Sequence, residues 1–186
     1  MITTTMLNAA WKHPTVLALK DCMQDLRWHP EGDAYTHTQQ VTNRLVDSYA
    51  DVEGELVWRK LGLAAILHDI GKVPTRVVQP DGTITHRGHG EVGAGMAWVV
   101  MGDLGIDPED KPDVFWLIQN HMFTLHSALN AKDKTLKKYM SHPMWENLIR
   151  LGMADSRNGT KENVKTVLER AKDIRAQELR MSLELQ

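Results

Sequence analysis

Along most of this chain apolar residues recur at the spacing of a helix rather than of a strand. Leu61, Ala64, Ala65 and His68 fall at i, i+3, i+4 and i+7, so residues 61–72, LGLAAILHDIGK, read as an apolar helix ending in His68-Asp69. This run belongs to a central helix predicted over residues 52–69. Upstream, residues 1–12 read as a weak helix or a loose arm. Pro14 opens a helix predicted to run to about residue 27, with Val16, Leu17, Leu19 and Met23 as its apolar side. Asp33 is a good N-cap for a helix over Ala34–Tyr49, on which His37, Val41, Arg44 and Leu45 share a face.

Downstream the pattern continues. Residues 88–103 predict a helix with His89, Val92, Gly93 and Met96 on one face, and Gly93 and Gly95 would let another helix approach closely. Residues 113–122 place Val114, Leu117, Ile118 and His121 on one side. Residues 123–142 are less regular. Pro143 opens a further helix that aligns Leu148, Leu151, Gly152 and Asp155, and a long helix over about Lys161–Glu184 closes the chain. The single β signal is Val77-Val78 and Thr83-Ile84-Thr85 around Pro80-Asp81-Gly82, where proline presets φ and glycine takes positive φ. No repeat or linker interrupts the series. The expectation is one all-α domain over residues 1–186, a helical bundle with one small β-hairpin.

Composition narrows the function classes. A net charge of -2 makes no overall case for nucleic-acid or anionic-membrane binding, although Lys132, Lys134, Lys137 and Lys138 form a local basic stretch. Cys22 is the one cysteine, which excludes an internal disulfide or a thiolate zinc cage and suits a reducing compartment. The start lacks the basic and apolar blocks of a signal peptide, and no apolar run reaches membrane-spanning length. A cytoplasmic protein with no membrane partner is expected.

The histidines change the picture most. His37, His68, Asp69, His89, His121 and Asp155 sit on the inward faces or ends of helices. A lone inward histidine is more often a hydrogen-bonded core residue than a ligand, but four helices each supplying one are harder to explain that way. His13, His29, His126 and His142 lack that context and read as surface or loop residues. His86 competes with His89, which is preferred because it opens an apolar stripe. Bundles build metal sites from side chains on facing helices. Imidazole and carboxylate ligands suit divalent manganese, iron, cobalt, nickel or zinc. Six ligands exceed one tetrahedral zinc; they fit two metals with Asp69 as a bridge, or one metal with a weaker second site.

The order His37, His68-Asp69, Asp155 resembles the HD superfamily of metal-dependent phosphohydrolases. His89 and His121 resemble the extra ligands of its binuclear members. The segments WHPEGD (28–33), YTHT (35–38), ILHDIGK (66–72) and GHGEVG (88–93) are similar to the HD domain of bacterial CCA-adding tRNA nucleotidyltransferases. That likeness covers about residues 28–158, without a nucleotidyltransferase head, and leaves the helix of about residues 161–184 outside.

The resemblance implies a free-standing phosphodiesterase or phosphatase with two divalent ions, among manganese, iron, cobalt, nickel and magnesium. His37, His68, Asp69 and Asp155 would hold one ion; Asp69, His89 and His121 the other. Asp69 would also orient the attacking water. Lys72, Arg76 and Arg87 are candidates for phosphate binding and charge neutralisation, with Lys72 also catalytic and Arg44 of second rank. The expected substrate is a phosphorylated small molecule, a nucleotide or a nucleic-acid end, for example a 2′,3′-cyclic phosphate. Two other readings remain: an HD-fold di-iron oxygenase, which uses the same six-ligand pattern, and a non-catalytic nucleotide-binding regulatory module with a structural metal, against which the full ligand set argues.

Overall fold

The computed structural model describes residues 1–49 and 55–184, so the first three residues of the central helix expected at 52–69 lie outside the described residues. Its contacts divide the chain into two compact units, Met1–Met122 and Phe123–Gln186. Among the described residues the architecture is helical throughout except for one two-stranded antiparallel sheet.

In the first unit, α1 (Thr4–Lys12) is a formed helix whose first turn is capped by the Thr3 hydroxyl. It carries a buried Ala10, and Ile2 just ahead of it is fully buried. α2 (Pro14–Leu17) and a 3-10 turn (Ala18–Asp21) replace the longer helix expected to residue 27. The chain leaves the helix at Cys22, with φ -92 and ψ 80, because residues 22–33 close on themselves. Met23 bridges Asp33, the Gln24 amide donates to the Gly32 carbonyl, and the Ala34 amide donates to the Cys22 carbonyl. Gly32 makes this return with φ 93, a value most side chains avoid. α3 follows over Ala34–Tyr49 as expected, and the Asp33 carboxylate accepts the Thr36 amide at 2.8 Å as its cap.

α4 (Glu55–Leu67) is the centre of this unit. The sequence pattern suggested one apolar stripe, but every residue from Leu61 to Ile70 is buried. α1, α3 and α7 (Lys111–Asn120) all pack on α4, and a helix covered on several sides is apolar on several sides. The helix gives way to turns at His68, and α5 (Lys72–Thr75) starts after Gly71. β1 (Val77–Val78) pairs with β2 (Ile84–Thr85), Val77 opposite Thr85 and Val78 opposite Ile84. Gly82 turns the hairpin at φ 81, and the Asp81 carboxylate accepts the Thr83 amide.

α6 (His89–Asp103) packs on α7 and α5. Its buried face is His89, Gly90, Gly93, Ala94 and Ala97, continuing to Val100 and Met101; Val92 is exposed. The contact glycines also differ from expectation. Gly93 meets the backbone of Gly71, whereas Gly95 has open space around it. Gly71 is needed for closeness rather than for its φ of -68. A Cβ there would lie 2.1 Å from the His89 carbonyl oxygen.

In the second unit, residues 123–142 are more regular than their pattern suggests, forming α8 (Leu125–Asn130) and α9 (Asp133–Met140). Both helices are short; the Thr124 hydroxyl caps the start of α8 locally, and tertiary bonds meet the junction between the two. Arg170 of α11 (Lys161–Glu184) donates to the Ala131 carbonyl at 2.6 Å and pairs with Asp133. α10 (Trp145–Asp155) begins two residues after Pro143 and buries Leu148, Leu151 and Gly152. α11 buries Val164, Val167, Ala171 and Ile174 and leaves Leu168 half-buried. No helix among the described residues is long and apolar enough to cross a membrane.

Candidate metal centre

Four helical elements of the first unit bring their histidines to one buried carboxylate. His37 comes from the first turn of α3, His68 from just beyond α4, His89 from the first position of α6, and His121 from the C-cap of α7. Asp69 is 1% exposed at the middle. Its two oxygens face different partners. Oδ2 lies 3.3 Å from His68 Nε2 and 3.8 Å from His37 Nε2. Oδ1 lies 3.3 Å from His89 Nε2 and 3.7 Å from His121 Nε2. Two sets of atoms spaced closely enough to share an ion therefore meet on one carboxylate: His37, His68, Asp69, and Asp69, His89, His121.

The other ring nitrogens say which way each imidazole is protonated. His68 Nδ1 donates to the Ala65 carbonyl at 2.8 Å, His89 Nδ1 to the His86 carbonyl at 2.8 Å, and His121 Nδ1 to the Ile118 carbonyl at 2.7 Å. His37 Nδ1 donates to Glu31 Oε1 at 2.8 Å. A carbonyl or carboxylate oxygen only accepts, so each Nδ1 carries the ring proton. In the neutral ring each Nε2 is then a lone pair, and all four point toward Asp69. His89 Nε2 and His121 Nε2 lie 2.9 Å apart. Two lone pairs at that distance repel unless a cation sits beside both. Neutral imidazoles anchored through one nitrogen, with a buried carboxylate between them, are the donor set that a divalent first-row ion takes.

Lys72 completes the interior. It is 6% exposed, and its ammonium lies 2.7 Å from Asp69 Oδ2 and 2.6 Å from Gln24 Oε1. Burial pushes the Asp69 carboxyl up, but His68, when its ring is protonated, and the Lys72 ammonium hold it well below the usual carboxylate range. A deprotonated Asp69 is the form that can ligate.

Arg76 is exposed and donates to the Met23 carbonyl at 3.0 Å. Arg87 is exposed beyond β2, and Arg44 is half-buried, 3.4 Å from Gln40 Oε1. Asp155 is the half-buried last residue of α10, in the second unit. His86 supports the cluster: its carbonyl anchors His89, and its own Nδ1 donates to the Lys72 carbonyl at 3.0 Å.

Three residues near the centre escape sequence reasoning. His29, read as a surface or loop residue, donates from Nδ1 to Glu31 at 2.9 Å and is half-buried. Glu31 joins His29 to His37. Its one signal is its position in WHPEGD, two residues before the α3 cap. Gln24 had none, because it lay inside the helix expected to residue 27.

The HD domain family matches residues 34–175 of this sequence. The chain belongs to the HD domain family. The HD superfamily comprises metal-dependent phosphohydrolases, and the His-Asp clusters above are where a divalent ion fits. A bifunctional uridylyltransferase/uridylyl-removing enzyme of Gluconobacter oxydans (strain 621H) is 36% identical over 72 residues. That match covers 38% of this chain and 6% of the relative, so the chain spans a small part of that protein.

Proposed function

We propose that this HD protein hydrolyses a phosphomonoester or phosphodiester of a nucleotide or of a nucleic-acid end, and that the cluster around Asp69 is its active site. The observation that carries this reading is the set of four Nδ1-anchored imidazoles whose Nε2 atoms converge on one buried carboxylate. A divalent ion, when bound, supplies a water acidic enough to yield hydroxide near neutral pH and a positive charge for phosphoryl oxygens. The chain's own part is to hold that place. Asp69 offers one oxygen to each pair of histidines and orients the attacking water. Lys72, already beside Asp69, turns its ammonium to a phosphoryl oxygen as negative charge builds there. Arg76, Arg87 and Arg44 are the proposed outer cations for the rest of a phosphorylated substrate. Asp155 is proposed as a further ligand beside His37, His68 and Asp69, and Asp155→Ala tests it through metal stoichiometry.

The segments similar to the HD domain of CCA-adding enzymes favour a nucleic-acid end, such as a 2′,3′-cyclic phosphate, as substrate. The uridylyl-removing activity in the relative's name is in line with a bond to phosphorus as the target. The deciding experiment offers nucleotides, cyclic nucleotides and phosphorylated oligonucleotides to protein loaded separately with manganese, iron, cobalt, nickel or magnesium. Metal-dependent release of product, absent from Asp69→Ala, is expected. Oxygen consumption by the iron form without hydrolysis would overturn the reading in favour of an oxygenase, and tight nucleotide binding without turnover in favour of a regulatory module.

A further inference from the structure

Three of the four histidines are anchored in the same way, and the fourth is not. His68, His89 and His121 each donate Nδ1 to the carbonyl three residues back, at Ala65, His86 and Ile118. All three lie at helix ends, where carbonyls are spared from the i→i−4 ladder or belong to the preceding turn. His37 sits inside the first turn of α3, and the carbonyl three residues behind it, Ala34, already accepts the Thr38 hydroxyl at 2.8 Å. Its acceptor comes from outside the helix, and it is charged. Glu31 Oε1 takes Nδ1–H from His37 at 2.8 Å and from His29 at 2.9 Å. The Glu31 side chain is 8% exposed.

The backbone is built to deliver this carboxylate. Glu31 lies in the closed loop of residues 22–33, fixed by the Met23–Asp33 bridge, the Gln24–Gly32 bond and the Gly32 amide donating to the His29 carbonyl. The same loop supplies Asp33, the α3 cap, so Glu31 and His37 are set by one rigid corner.

The geometry points to Glu31 as a positioning residue that makes the two halves of the centre unequal: it holds His37 in the tautomer with Nε2 free and, through its negative charge, renders the His37–His68–Asp69 set the tighter metal position. The set of Asp69, His89 and His121 has only neutral carbonyl anchors behind its imidazoles. Carboxylate partners behind metal-ligating histidines raise ligand basicity, and their loss costs metal affinity about 10–100-fold. The inference rests on the metal-centre reading above.

Its test uses the whole chain, stripped of metal and titrated with manganese(II) alone and cobalt(II) alone by calorimetry. Wild type is compared with Glu31→Gln, which keeps an acceptor but no charge, and with Glu31→Ala. In Glu31→Ala one of two binding steps should weaken about 10–100-fold while the other stays within about threefold, with Glu31→Gln between them. Nitrogen NMR of the metal-free proteins gives a second readout: His37 should hold its proton on Nδ1 in wild type and mix tautomers in Glu31→Ala. Equal weakening of both steps, or neither, overturns the inference. If Glu31→Ala does not fold, Glu31→Gln decides by the same criteria. A wild type that binds neither ion defeats the metal-centre reading itself, whereas two intact steps in a folded Glu31→Ala defeat only this inference.

Discussion

The cluster around Asp69 and the hairpin of residues 77–85 both carry charged residues singled out by the sequence, yet they are built oppositely. In the cluster His37, His68, Asp69, His121 and Lys72 are at most 6% exposed, and each polar group is aimed by a short bond to backbone or carboxylate. At the hairpin Val77 and Val78 are more than half exposed, and Arg76 and Arg87 lie in solvent. An open cleft of about 440 Å³ lies between residues 23–27 and 81–84. Buried polar groups must have fixed partners, and fixed partners give one geometry. Exposed cations can reach a substrate and are held less firmly, Arg76 by a bond to the Met23 carbonyl, so a substitution among them should cost less.

The sharpest way to break this contrast is Asp69→Ala. Under the proposed function it removes the oxygen facing each pair of histidines, so metal affinity at both sets should fall by more than about 100-fold, beyond the cost of losing an outer partner. Calorimetric titration with manganese(II) checks it; one unaffected site would refute the shared carboxylate. Gly71→Ala comes next. Its Cβ would meet the His89 carbonyl at 2.1 Å and the Gly93 amide nitrogen at 2.5 Å, both backbone atoms that cannot step aside. A loss of about 3 kcal/mol or more in denaturant unfolding is expected.

Lys72→Met should lower turnover about 100-fold with metal content unchanged, which separates charge neutralisation from ligand holding. Loss of metal would instead give Lys72 a structural role. The smallest effect belongs to the hairpin side. Asp25 and Arg27 pair at 2.6 Å, and the hydrogen bond from Arg27 holds the half-buried Asp25 carboxyl well below its ordinary value of 3.8. A lowered folded-state value means stability present above the ordinary value and lost as pH falls below it. The small deficit of Arg27→Ala should therefore shrink as unfolding is followed from about pH 5 to about pH 2. A deficit that grew on acidification would contradict that sign.

The likeness of pattern to structure is uneven for physical reasons. α3 and α11 have the bounds their sequences suggest, because a capping Asp33 and a long apolar period are local signals. The helix expected to residue 27 overruns the first part of the loop, residues 22–27, because Met23 and Leu26 continue an apolar period that the backbone does not follow. Both are exposed, and the chain turns for Gly32 and for pairing with Asp33. The Val92 face failed likewise: α6 is apolar on several sides, so its period could not say which side meets α7.

What the sequence determined by itself is the helical class, the hairpin, and an inward histidine on each of several helices. Helical period, caps and turn residues act within a few positions and are written in consecutive residues. Only the tertiary structure decided that one carboxylate oxygen of Asp69 faces His37 and His68 while the other faces His89 and His121. It alone placed Glu31 behind His37 and Gln24 against Lys72, because those pairs depend on where a closed loop sets a side chain against a distant helix.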